Sequence, residues 1–263
     1  MKVAVLSAVP TSGKTAFMEV LGGVFSLSQG RDVAIFSTGE LSELIDIVTD
    51  DSTEKDLSSP DVVKAMVEAN AGDKMLLDYG IQSGMEHVYI YDIMGVDMPI
   101  DERVEFLEEA IKAVPVDLTL IEISGDPNSD LNKLILSQCD CSILLVEPSH
   151  KAITSYVKFV GSIPTCPAKY NMALVGARIN YTILSDKQMA SKMGIRFESM
   201  YKFPYNPIIP KLSLAGALDG ICEKIVIGDP TVVGLRMPLY EIMTFLFDQP
   251  GIKVIRSIDK WYR

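Results

Sequence analysis

A short polar run near residue 12 combines the residue types that bind phosphate groups. Ser12, Gly13, Lys14 and Thr15 follow an apolar segment, 3–6, that is typical of a buried strand. A helix that starts at such a run offers free backbone N–H groups to anionic oxygens, lysine reaches the β- and γ-phosphates, and threonine binds Mg²⁺. The pattern therefore predicts a nucleotide-binding loop and helix start formed by Pro10, Thr11, Ser12, Gly13, Lys14, Thr15 and Ala16.

The run departs from the usual phosphate-loop pattern G-x-x-x-x-G-K-[ST] because position 8 is Ala8 rather than glycine. Pro10 also lacks a backbone N–H and stiffens the loop, which leaves fewer donors for phosphate. The alternative interpretation is a helix start without function, but it does not explain the strand-like segment that precedes the loop. We expect Lys14 to bind phosphate and Thr15 to bind Mg²⁺.

The composition of the chain restricts the function further. It has 263 residues and a formal net charge of −11, and a surface of this charge disfavours extended nonspecific binding to DNA. No apolar run reaches the roughly 18–20 residues that span a bilayer, and Met1 and Lys2 lead directly into the first predicted strand. We therefore expect a cytoplasmic protein without a removable targeting segment. The 4 cysteines form no C-x-x-C pair, which favours buried free thiols.

Strand-like and helix-like segments alternate along most of the chain. Several strand-like segments are rich in valine, isoleucine and leucine without polar alternation, as in strands that are covered on both faces. We therefore predict a single α/β domain over 1–263, with a doubly wound, mostly parallel sheet of about seven strands and helices on both faces. The predicted strands are 2–7, 33–37, 88–93, 118–123, 142–147, 172–179 and 197–203. The predicted helices are 14–28, 59–71, 102–114, 128–138, 151–163, 184–193 and 237–247.

The order of these segments resembles that of the ParA/MinD-type P-loop ATPases, a branch of the SIMIBI class with a deviant Walker A loop. The run 7–15 resembles the phosphate loop of this family. The strand that ends at Glu122 resembles the strand with the Walker B-like acidic residue, and 141–149 resembles the strand that follows it. The resemblance implies that ATP and Mg²⁺ are the ligands, with Mg²⁺ held by Thr15 and Glu122.

Two further segments resemble the part of the family's site that surrounds the nucleotide base. Asn180 ends a strand-like segment, as does the asparagine that recognises the base in the family. Pro204, Tyr205 and Asn206 resemble the turn that lies beside the base. The resemblance therefore implies base contacts for these four residues, whereas the residue types alone also fit ordinary turns.

Three positions depart from the family pattern in ways that affect chemistry. Val9 stands where the family has a second lysine that reaches the nucleotide of a dimer partner. Ser37 stands where an aspartate positions water, and a hydroxyl of ordinary pKa cannot replace a carboxylate base. Glu40 is the nearest substitute in the sequence. Glu122 replaces an aspartate but keeps a carboxylate, which can still contact Mg²⁺ through a water.

The resemblance implies an ATP-binding positioning or assembly factor with weak or lost hydrolysis, acting with protein partners in pilus, secretion, partition or division machinery. The resemblance extends to the TadZ/CpaE-like group within this family. It also implies a homodimer, although Val9 argues against the usual ATP-locked form. One alternative is a pseudo-ATPase scaffold that binds no nucleotide, and another is an ATP-dependent synthetase or kinase. In the segment 252–263, apolar and basic residues fit a docked tail better than a membrane anchor.

Overall fold

A mixed eight-stranded sheet forms the centre of the protein. The computed structural model describes residues 1–9, 13–37, 81–82, 85, 87–91, 108–179, 184–214 and 218–249. The strands are β1 Lys2–Ser7, β2 Val33–Ser37, β3 Ile81–Gln82, β4 Val88–Tyr91, β5 Leu118–Glu122, β6 Cys141–Val146, β7 Met172–Ile179 and β8 Tyr201–Pro204. Their order in the sheet is β3-β4-β2-β5-β1-β6-β7-β8, and among these described strands only the β3–β4 pair is antiparallel. The predicted doubly wound, mostly parallel α/β fold is confirmed.

The central strands bring distant parts of the chain to one edge of the sheet. β1 lies between β5 and β6, and β5 lies between β1 and β2. In this register both Val5 and Ser37 pair with Glu122. Because the carboxyl ends of parallel strands meet at the same edge, the residues that follow β1, β2 and β5 come together there.

Helices cover both faces of the sheet. They are α1 Lys14–Gln29, α2 Asp130–Gln138, α3 His150–Ser162, α4 Pro167–Tyr170, α5 Asp186–Met193, α6 Ile208–Leu214, α7 Asp219–Ile227 and α8 Val233–Phe247. Residues 108–113 are also helical, and Phe197–Ser199 and Pro230–Val232 form 3₁₀ turns. In the described part of the chain, no helix combines the length and the apolar character needed to cross a membrane.

Two apolar clusters, one on each face, fix the sheet between these helices. On one face α1, α6, α7 and α8 bury side chains that include Leu21 and Leu239. On the other face the helical residues 108–113 pack with α2, α3, α4 and α5, and Leu136 and Met189 are buried there. Because β1 contributes to both clusters, its side chains are covered on both faces, which explains its uninterrupted apolar sequence.

The structure corrects one predicted strand and adds elements that the sequence pattern did not indicate. The strand predicted at 197–203 begins only at Tyr201, because Phe197–Ser199 turns as a 3₁₀ helix with Ser199 N–H bonded to the Arg196 carbonyl. The strand β3 and the helices α4, α6 and α7 were not predicted. The predicted helix 59–71 and the segment 252–263 lie outside the described residues.

Candidate functional site

The helix α1 begins at a glycine whose backbone is left-handed. Gly13 has φ 77° and ψ 28°, a conformation that glycine adopts without the steric cost of a Cβ, and its carbonyl accepts the N–H of Phe17 at 3.0 Å. Because Gly13 has no side chain, no side-chain cap competes for the first N–H groups of α1. The end of β1 therefore leads into a helix start that is suited to an anion.

Lys14 and Thr15 both contact Glu122 at the end of β5. The Lys14 Nζ atom donates to the Ile123 carbonyl at 2.7 Å and lies 3.4 Å from Glu122 Oε1. The Thr15 hydroxyl donates to Glu122 Oε2 at 3.0 Å. The side chains of Lys14 and Glu122 are only 12% and 11% exposed, so their charges are poorly screened by water. The structure thus brings together three residues that the sequence predicts for one site.

The chemistry of these groups fits a hydrated magnesium ion. A hydroxyl that donates its hydrogen to a carboxylate keeps its lone pairs for a cation, which is the arrangement at Thr15. Mg²⁺ prefers oxygen ligands, keeps several waters and needs only one or two carboxylates from a protein. Among the described residues there is no group of three histidine, cysteine or acidic side chains that could hold a metal by itself. Any ion at this site would therefore take its ligands from Thr15, Glu122, water and a phosphate.

Ser37 lies beside Glu122 on the neighbouring strand. It ends β2, pairs with Glu122 in the sheet register and is buried. At the position where the family pattern has an aspartate, this chain therefore has the Ser37 hydroxyl, at the same edge of the sheet as Glu122. Glu40, the nearest substitute in the sequence, lies outside the described residues.

The predicted base-side residues lie on the other side of the α1 start. Pro204, Tyr205 and Asn206 share a small apolar pocket of about 40 Å³ with Gly13 and Ala16. Phe17 and Phe203 close this side with an edge-to-face ring contact at 5.2 Å between centroids. The Asn206 side chain accepts the N–H of Ile208 at 2.9 Å, so it also fixes the start of α6. The pocket is smaller than the ~300 Å³ of an ordinary ligand pocket, so a base there requires the walls to move.

Four of the predicted site residues fall in gaps of the described chain. Pro10, Thr11, Ser12 and Asn180 lie outside the described residues. The residues on both sides of the loop gap, Val9 and Gly13, are described. Their surroundings therefore define where the loop starts and ends.

A cleft of about 650 Å³ opens beside Lys14. Its walls come from the end of β1, the segment that follows β5 and one face of α3. The polar and charged residues among its lining are Ser7, Lys14, Glu122, Ser124, Asp126, Asn128, Ser155, Lys158 and Ser162. Its size lies within the range of ligand pockets. The α3 wall is absent from the predicted site, although the spacing of Ser155, Lys158 and Ser162 could have indicated a common helix face.

Asn132 organises the segment that forms the second wall of the cleft. Its side-chain amide donates at 2.8 Å to the carbonyls of Ser124 and Asp126. Gly125 between them has φ 76°. Asn132 is only 2% exposed, and its position in α2 ties this helix to the residues that directly follow Glu122. The buried asparagine that holds this turn is not among the residues that the sequence predicts for the site.

All four cysteines are buried free thiols, as the sequence predicts. Burial raises the pKa of Cys141 to about 12, and it also raises the pKa values of Cys139 and Cys222. The thiols of these residues are therefore protonated near neutral pH and do not contribute a nucleophile to the site.

Comparisons with known proteins place this geometry in context. No protein-family model matches the sequence, and no curated protein matches it. A ParA family ATPase from Chlorobium tepidum TLS has 12% sequence identity and a TM-score of 0.67, with 92% of this chain and 98% of that chain covered. A chain of the MinC:MinD cell division protein complex from Aquifex aeolicus has 14% identity and a TM-score of 0.63, with 97% and 99% covered.

The septum site-determining protein MinD from Pyrococcus horikoshii OT3, complexed with Mg-ADP, has 16% identity and a TM-score of 0.59. This match covers 94% of this chain and 97% of that chain. At identities of this size the likeness shows the fold and leaves the activity to be argued from the site. The chain has the fold of the ParA/MinD-type P-loop ATPases.

Proposed function

We propose that the chain is a divergent ParA/MinD-type protein that binds Mg·ATP and uses the bound nucleotide to control its affinity for a protein partner. The observation that carries this proposal is the joint contact of Lys14 and Thr15 with Glu122 at the start of α1. A solved neighbour of the same fold, MinD from Pyrococcus horikoshii OT3, is complexed with Mg-ADP. The proposed process is a localised assembly of the partition, division, pilus or secretion type.

The residues present would hold the nucleotide through charge and hydrogen bonds. Lys14 already lines the cleft, where the terminal phosphates of a nucleotide would offer it more negative charge than Glu122 does. The free N–H groups at the start of α1 would bind the remaining phosphate oxygens. Mg²⁺, when bound, neutralises charge on the phosphates, and Thr15 and Glu122 are the residues that would hold it.

A partner would sense the nucleotide through the segment after β5. The Ile123 carbonyl accepts a hydrogen bond from the Lys14 ammonium. The carbonyls of Ser124 and Asp126, one and three residues further along the chain, accept hydrogen bonds from the Asn132 side chain. A shift of Lys14 from Ile123 towards phosphate therefore alters one end of a segment that is fixed at the other end by α2. Nucleotide-dependent ordering of such a segment is a known way to switch partner affinity.

We propose that hydrolysis is slow. Phosphoryl transfer depends on positioning and on charge neutralisation, and a carboxylate commonly orients the attacking group. Ser37 supplies only a hydroxyl next to Glu122, so the site keeps groups for binding but has no carboxylate at the end of β2. The narrower relation to the TadZ/CpaE-like group stays a prediction.

Equilibrium binding of labelled ATP in the presence of Mg²⁺ tests the proposal. We expect the wild-type protein to bind, and Lys14→Ala to lose roughly tenfold or more in affinity, as for one charge-assisted contact. Lys133→Ala is the matched control, because this lysine is half exposed on α2 and pairs only at 3.9 Å with Asp130. Equally weak binding by the wild type and Lys14→Ala would contradict the proposal.

The second candidate is a scaffold that keeps the fold without binding nucleotide. The small volume of the base-side pocket and the occupation of Lys14 and Thr15 by Glu122 favour it. Thermal unfolding with and without Mg·ATP separates the two candidates. Ligand at about 100 times its Kd stabilises the native state by about 2.7 kcal/mol, whereas a scaffold keeps its midpoint. Sedimentation of the same samples reports whether ATP produces the homodimer that the resemblance implies.

A further inference from the structure

The cleft beside Lys14 carries a second lysine on the wall that α3 forms. Ser155, Lys158, Phe159 and Ser162 all line the cleft, at the spacing of one helix face. Phe159 is half-buried against the apolar cluster on that side of the sheet, so this face of α3 is held towards the cleft. Lys158 itself is exposed, and its stem leaves the ammonium free to move within the cavity.

The charged side chains that line the cleft differ in whether they have an ion-pair or hydrogen-bond partner. Lys14 and Glu122 pair with each other, and Asp126 Oδ1 accepts the N–H of Asn128 at 2.9 Å. In contrast, Lys158 has no hydrogen bond or ion pair with any residue of the described part of the chain. The cleft therefore presents one cation that is already paired and one that has no counter-ion among those residues.

The lining of the cleft also suits an anion in other respects. Ser7, Ser124, Ser155 and Ser162 line it. The hydroxyls of Ser7 and Ser162 donate to the carbonyls of Val9 and Phe159, at 2.8 and 2.7 Å, so each must turn from its carbonyl before it can donate to a phosphate oxygen. The volume of about 650 Å³ is large enough for more than a few water molecules, and therefore for part of a ligand. Val9, the position at which a ParA/MinD-type loop has its second lysine, is 6% exposed and offers no charge.

We propose that Lys158 binds the terminal phosphate of a nucleoside triphosphate held at Lys14. This proposal rests on the proposed function and adds a specificity-determining residue to it. Lys158 supplies from the same chain the second positive charge that Val9 cannot supply. The site then distinguishes a triphosphate from a diphosphate, because only the triphosphate places charge in the cleft beyond Lys14. This discrimination requires no second copy of the chain.

Binding of Mg·ATP and Mg·ADP to matched variants tests the role of Lys158. We expect Lys158→Ala to lose roughly tenfold in affinity for ATP and less than about twofold for ADP, as for loss of one charge-assisted contact. Lys158→Arg keeps the charge and should retain most of the ATP affinity. Lys151→Ala is the control, because Lys151 is exposed on the same helix but does not line the cleft.

The outcomes separate this proposal from the proposed function. If ATP binding depends on Lys14 but Lys158→Ala weakens ATP and ADP equally or leaves both unchanged, the role of Lys158 is wrong and the nucleotide site stands. An equal loss in Lys151→Ala would show a general effect of charge on α3 and would also overturn it. If the wild type binds neither nucleotide, both proposals fall. The unfolding midpoint of unliganded Lys158→Ala should match the wild type, because the side chain is exposed.

Discussion

The hydroxyl of Thr15 donates a 3.0 Å hydrogen bond to Oε2 of Glu122, although the two residues lie 107 positions apart in the sequence. The other carboxylate oxygen, Oε1, lies 3.4 Å from the Lys14 ammonium. One carboxylate thus holds both side chains at the start of α1. The register of β1 and β5, in which Val5 pairs with Glu122, places the carboxylate at this point.

Glu122→Gln should remove the Mg²⁺ dependence of ATP binding. Without the carboxylate, Lys14 loses the acidic partner that competes with phosphate, so we expect equal or tighter binding of ATP in EDTA. The enhancement by Mg²⁺ should fall roughly tenfold, because a charged ligand group is lost. Calorimetric titration with Mg²⁺ and with EDTA measures both effects. Asp130→Asn is the control, since its side chain is 94% exposed, and an unchanged Mg²⁺ enhancement in Glu122→Gln would contradict the assignment.

Asn132→Ala should destabilise the protein by about 1–3 kcal/mol, because two part-buried hydrogen bonds of about 0.5–1.5 kcal/mol each are lost. We also expect faster amide exchange over 124–129. Urea unfolding and hydrogen exchange measure these effects. Asn171→Ala is the matched control, since that exposed amide donates one 3.2 Å hydrogen bond to the Asp140 carbonyl. Its change should stay within about 0.5 kcal/mol, and equal losses in the two variants would argue against a special role for Asn132.

Substitution of two glycines by alanine should change the free energy of unfolding in opposite directions. Gly125 has φ +76°, and a Cβ added there would meet no atom within 4 Å, so Gly125→Ala suffers only the left-handed backbone strain of about 1–2 kcal/mol. Gly161 lies in α3 with equally open surroundings and no positive φ. Gly161→Ala should therefore stabilise by up to about 1 kcal/mol through helix propensity. Urea unfolding of both variants is the measurement, and a shared sign would refute the backbone argument.

The cysteines should resist alkylation in the native protein. Burial raises the pKa of Cys141 to about 12, so its reactive thiolate is scarce at pH 8, and Cys139 and Cys222 shift in the same direction. We expect slow labelling by iodoacetamide at pH 8 and rapid labelling of all four thiols in urea. Mass spectrometry of intact protein counts the labels. Rapid modification of native protein at any of the four would contradict their burial.

The sequence predicted the parts of the fold that depend on long, uniform patterns. The run from Val3 to Leu6 and that from Ile143 to Val146 are apolar on both faces, and both form central strands. The resemblance to the ParA/MinD-type ATPases implied one site for Lys14 and Glu122, and the register of β1 and β5 gives the physical cause, because the carboxyl ends of parallel strands share an edge. The phosphate contacts expected of residues 10–12 stay a prediction, since these residues lie outside the described chain.

The remaining features depend on contacts that a local pattern does not contain. The two residues of β3 are too few to show a period, and their place is set by pairing with β4. The spacing of Ser155, Lys158 and Ser162 indicates only that they share a helix face; whether that face borders a cleft depends on where the helix packs. Asn132 likewise resembles any polar helix residue until its amide is seen to bind two carbonyls.

The place of β1 in the sheet has a consequence for how the chain is made. β1 is the first strand along this chain, but its neighbours β5 and β6 begin only at Leu118 and Cys141. At a synthesis rate of about 5–20 residues per second, β5 and β6 are synthesised on the order of ten seconds after β1. During that time the backbone N–H and C=O groups along both edges of β1 lack their strand partners, and unpaired edges of an apolar strand favour aggregation. Chaperone binding to ribosome-bound chains should therefore fall once the residues of β6 have emerged.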